Sequence, residues 1–237
     1  MSFNRTCSFV LILACLMLAG CGYTGNVEIQ HHVYQAQLHA VQEAVDEFQK
    51  DKGILPIKNS TMTTPIYIKY PIDFRRLQAY LPDAPDNAFQ NGGIYEYVLV
   101  DVERNPTVKV VDLTTLEKVR EVQRRVNAYW YEHHFAPLGK VIVPKRYTID
   151  YEALGYDETP MVTSPFTGHL LGFVMDADVD VSIDYRQDLY AFLNKYGGDF
   201  ETGEDIREML VNHSPFVPAE SVPYTIDANG EPVFLVK

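Results

Sequence analysis

The richest run of potential metal ligands is Asp176-Ala177-Asp178-Val179-Asp180-Val181-Ser182-Ile183-Asp184, whose alternating oxygens suggest a calcium loop. An EF-hand loop needs Gly at its sixth position and Glu at its twelfth, where this chain has Val181 and Gln187. Alternation with Ala177, Val179, Val181 and Ile183 predicts a half-buried strand instead, its acidic face discouraging edge pairing. Asp73 and Asp150 could act as paired carboxylates, yet each stands before a short apolar-periodic turn, where aspartate is a preferred N-cap. The histidines fall in two adjacent pairs, His31-His32 and His133-His134, plus His39, His169 and His213. Neighbours on a helix point about 100° apart, so such pairs chelate poorly. No nucleophile motif of the G-x-S-x-G or S-x-x-K type occurs after residue 20. Gly198 to Gly203 has the spacing of a phosphate loop, but Glu204 stands where the lysine belongs. No catalytic residue, metal site or cofactor is expected.

Aromatic residues carry the remaining signal. Tyr129-Trp130-Tyr131 puts three rings on successive helical positions, and they cannot all face one core. Tyr129 continues an apolar stripe, which sends Trp130 and Tyr131 toward its edge, where exposed rings suit a protein partner or a sugar.

The elements that must position these residues follow from periodicity. Tyr34, Leu38, Val41, Val45 and Phe48 form one helical stripe, stopped by Gly53 and Pro56. Leu116, Val119, Val122, Val126 and Tyr129 form a second, with Thr114 and Glu117 in a capping-box pattern. Strands are expected at Pro65–Tyr70, Ile94–Val100, Val108–Val111, Lys140–Pro144 and Leu170–Val174. At an offset of 81, Val41-Gln42 and Val45 fall on Val122-Gln123 and Val126; at 77, Tyr70-Pro-Ile72-Asp73 falls on Tyr147-Thr-Ile149-Asp150. Ordered agreement of this kind predicts a duplication. The expected architecture is α+β: two tandem repeated units, 34–113 and 114–184, each an amphipathic helix packed on a small antiparallel sheet. A C-terminal segment, 185–237, should add helices from Tyr185 and from Gly203, then a β-hairpin about Asn229-Gly230.

The chain has 237 residues, and an apolar fraction of 46% is enough for a core. Its net charge of −12 argues against nucleic acid as a partner. Arg5, the apolar run Val10–Leu18 and the closing Leu18-Ala19-Gly20-Cys21 resemble a signal peptide with a bacterial lipobox. That resemblance implies removal of residues 1–20, lipidation of Cys21 and a short tether over 21–33, with the domain held at the outer face of a membrane. Cys7 and Cys15 would leave with the signal, so the folded domain would hold no thiol and no disulfide. Each helix-plus-sheet half loosely resembles the globular part of pilin-like proteins, without their apolar stalk. On length, lipobox and texture the chain resembles the YphF-type lipoproteins of Bacillus-like bacteria, a family with no known activity to carry over. The function expected is a non-enzymatic binding or scaffold module with an envelope protein as partner. The alternative is a solute- or glycan-binding lipoprotein serving a transporter or the cell wall.

Overall fold

The computed structural model describes the backbone of residues 25–236 and the side chains of 35–236. The proposed signal and Cys21 lie outside the described residues. Met1–Gln37 and Leu38–Lys237 are separate units, and the sheets and the core belong to the second. In chain order, helix α1 (Gly25–Lys52) is followed by the single turn α2 (Phe74–Leu77), strands β1 (Tyr95–Val100) and β2 (Thr107–Asp112), and helix α3 (Leu113–His133). Strands β3 (Leu138–Val143), β4 (Arg146–Ile149), β5 (Val162–Thr163), β6 (Leu170–Leu171), β7 (Phe173–Asp176) and β8 (Val181–Ile183) come next. Helices α4 (Arg186–Tyr196) and α5 (Glu208–Asn212) and the hairpin β9 (Tyr224–Ile226)–β10 (Pro232–Phe234) end the chain. The class is α+β, and every strand pair is antiparallel.

Both predicted stripes reach the core. In α1, Val41, Val45 and Phe48 are buried, and Gly53 ends the helix with φ +69° and its N–H on the Gln49 carbonyl at 2.8 Å. In α3, Val119, Val122 and Val126 join a cluster with Met175, Ile183, Leu189 and Leu210.

The two segments make several contacts in matching places. Ile57 bridges Ile72 as Leu138 pairs with Ile149. The Asp73 N–H reaches the Pro56 carbonyl at 2.8 Å, and the Asp150 N–H reaches that of Pro137 at 2.9 Å. Gln42 donates to the Pro106 carbonyl and accepts from the Val108 N–H, at 3.0 and 2.7 Å. Gln123 donates to the Val179 carbonyl and accepts from the Val181 N–H, at 2.9 and 2.7 Å. Each helix is thus fastened to its hairpin by one carboxamide. The segments differ in the extent of their sheets. The second has four strands in the order β3-β4-β7-β8, whereas the first has only β1-β2, extended by single bridges such as Pro71 to Val98.

Several expectations are corrected. Within the stretch expected as a tether, residues 25–33 belong to helix α1. Pro65–Tyr70 is no strand. Ile66–Ile68 is a 3₁₀ turn closed by the Ile68 N–H on the Pro65 carbonyl. Leu170–Val174 breaks at Gly172 into β6 and β7. The acidic run is a strand only in part: Asp176 ends β7, residues 177–180 form a turn, and Val181–Ile183 are the half-buried strand β8. Asp176 accepts the N–H groups of Asp178 and Asp180, both at 3.0 Å, and Val179 takes φ +72°. Asp112, not Thr114, caps α3, accepting from the Thr114 and Thr115 N–H groups. The second C-terminal helix starts at Glu208 rather than Gly203.

Candidate interaction surface

Helix α3 ends where His134 adopts a left-handed conformation, φ +60°, with its N–H on the Trp130 carbonyl at 2.8 Å. This reversal folds Phe135 back onto Tyr129, ring centroids 5.5 Å apart and nearly perpendicular, with His133 4.2 Å from the Tyr129 ring. Tyr129 packs against the core, as its place in the stripe requires. Trp130 is 49% exposed and Tyr131 80% exposed. At the 81-residue offset, these two positions correspond to Gln49 and Lys50 in α1. A helix of the same kind therefore packs without rings there, so helix packing alone does not account for Trp130 and Tyr131.

The chain then enters β3, which stands at an edge of the four-stranded sheet. Its pairing with β4 is irregular, and the Lys140 N–H bonds to Thr148 Oγ1 at 2.7 Å. Leu138 is exposed and Val141 is 67% exposed. Phe135, Leu138 and Val141 thus extend the exposed apolar set beyond the two rings singled out in the sequence. Lys140 and Lys145 are exposed beside them and make no ion pair among the described residues.

The groups that could have supplied chemistry are committed elsewhere. Asp73 accepts from the Arg75 N–H at 3.2 Å and from the Arg75 guanidinium, which holds its carboxyl below the usual range. Asp150 accepts from the Ala153 N–H at 3.1 Å. Asp73 caps α2, as expected, whereas Asp150 holds the head of a turn over 151–155 that does not become a helix. Asp188, fully buried, accepts hydrogen bonds from Ser164 Oγ at 2.7 Å and from Thr167 Oγ1. Burial pushes its carboxyl up, opposed by those two hydroxyls. Ser164 Oγ also accepts from the Phe166 and Thr167 N–H groups, and the residue is buried. A hydroxyl so engaged has neither the access nor the lone pair a nucleophile needs, and the cluster locks the 164–169 loop to α4. Asp180 is raised first by burial and then by Asp176 and Asp178, but among the described residues no cluster of three or more His, Cys, Asp or Glu is placed to hold a metal ion.

Residues 34–112 match the model of the YphF family N-terminal domain. The matched stretch contains α1 from Tyr34 through β2 and ends on Asp112, the cap of α3. It carries the Gln42 fastening but not the exposed rings of α3. No curated protein and no solved structure matches the chain. No described helix is long and apolar enough to cross a membrane.

Proposed function

We propose that this chain is a lipid-anchored bacterial lipoprotein whose folded unit is a non-enzymatic binding module for an envelope protein. One observation carries the reading. Trp130, Tyr131, Phe135, Leu138 and Val141 are large apolar side chains left exposed along the end of α3 and the edge strand β3. Surfaces of this make-up, aromatic with a basic rim, are the ones that proteins bury against one another. The anchor rests on Arg5, the apolar run and the Leu18-Ala19-Gly20-Cys21 segment. In this reading Cys21 bears the acyl chains, a few residues before α1 in the sequence. The matching contacts of 34–113 and 114–184 support their descent from one unit, the second having gained the exposed rings.

The test is co-purification from native membranes. Trp130→Ala and Tyr131→Ala should each weaken recovery of the partner about tenfold without changing thermal stability. Undiminished recovery in the double variant would remove this surface from the account. Turnover of a cell-wall or phospholipid substrate by the purified protein would overturn the non-enzymatic reading.

A further inference from the structure

A cleft of about 830 Å³ opens between the Met62–Tyr70 segment, the turn joining β1 to β2, and α5. It involves none of the exposed residues of α3 and β3, and its size lies within the range of small-molecule sites. We propose that it binds an uncharged oligosaccharide. Its charges balance, Lys69, Arg104 and Lys109 against Asp101, Glu103 and Glu208. The cations are moreover occupied within the protein. Arg104 pairs with Asp101 at 2.9 Å, and Lys109 donates to the Val211 and Ser214 carbonyls at 2.6 and 2.8 Å. Lys69 sits 5.6 Å from the centre of the Tyr70 ring. An anion site would concentrate uncommitted cations and a cation site would concentrate carboxylates; neither sign prevails here.

The lining instead pairs rings with planar polar groups. Tyr67 and Tyr70 line the cleft half-buried, each with a cation near its ring centre, Arg207 at 5.2 Å and Lys69 at 5.6 Å. Glu208 and Asn212 stand exposed on α5 with acceptors and donors. A sugar ring presents C–H faces to the first kind of surface and hydroxyls to the second. Burial lowers the pKa of the Lys109 ammonium, and that group has three donors of which the two carbonyls use two. The third suits a neutral hydroxyl or acetamide oxygen.

The experiment is titration of the full chain in detergent with an N-acetylglucosamine trimer, followed by calorimetry and by backbone amide shifts. Saturable binding is expected, with shifts confined to residues 62–70, 101–109 and 208–212. Glu208→Gln and Asn212→Ala, both at exposed positions, should each weaken it about tenfold, while Asp83→Asn, exposed and away from the cleft, leaves it unchanged. Failure to saturate by about 10 mM, full affinity in both α5 variants, shifts elsewhere, or tighter binding of polyglutamate would each overturn the proposal. None of these outcomes bears on partner recovery through Trp130 and Tyr131, so the two readings stand or fall separately.

Discussion

Two glutamines do more for this fold than their polarity suggests. Gln42 and Gln123 each use both ends of a carboxamide to satisfy a donor and an acceptor of one hairpin backbone. Replacement by alanine removes two partners at once. Gln42→Ala and Gln123→Ala should each lower unfolding free energy by about 1–3 kcal/mol in urea titrations. Equal costs would support the duplication, and a negligible cost at either site would count against its role as a fastening. The Val-Gln pairs were visible in the sequence as an alignment, but what the amides bind was not. Their partners lie more than fifty residues away in turns that periodicity does not locate. Asp188 was equally hidden, because its buried state depends on hydroxyls of the 164–167 loop. Its carboxyl is raised in the folded chain, so the folded state takes up a proton at higher pH than the unfolded one. Stability from this group therefore increases as pH falls from neutral through its folded pKa and levels off below the unfolded value. That slope should disappear in Asp188→Asn, as measured by thermal melts across pH 4 to 7.

At the scale of elements, helices were legible and short strands were not. The stripes of α1 and α3 span several turns, and burial follows them closely. Pro65–Tyr70 misleads because its β-branched and aromatic residues have strand propensity, while Pro65 lacks an N–H and its carbonyl starts a tight turn instead. The acidic run misleads differently. Alternation cannot register a residue such as Val179 in the left-handed region, and one such residue turns a strand into a hairpin. The caps are better behaved. Asp73→Ala and Asp112→Ala should each cost about 1 kcal/mol by chemical denaturation and leave partner recovery unchanged. Gly93 offers a sharper test, since a Cβ there would lie 2.0 Å from the Asn87 carbonyl oxygen. Backbone must move to admit it, and Gly93→Ala should cost on the order of 2–3 kcal/mol.

For the whole molecule, the surface proposed for binding was legible only in part. Trp130 and Tyr131 stood out because three successive rings cannot share one helix face. Phe135, Leu138 and Val141 did not, because their exposure depends on the reversal at His134 and on β3 standing at a sheet edge. The cleft was illegible for a related reason: three segments remote in sequence form it. Placement of the molecule has its own test. Cys21→Ser should leave the precursor uncleaved or release the protein from the membrane fraction, read by fractionation and immunoblot. A fully processed variant still held at the membrane would overturn the lipid anchor.

The position of Gln42 also has a mechanical side. Along α1, Val41 is fully buried, and Gln42 beside it is bonded to the β1–β2 hairpin. A load applied at the N-terminal end reaches these two residues before any strand of the folded unit. Gln123, deep within the chain, carries no such load until α1 has already given way. In a single-molecule pulling experiment from the N-terminus, Gln42→Ala should therefore yield at a lower force than Gln123→Ala, even where the two lose the same equilibrium stability.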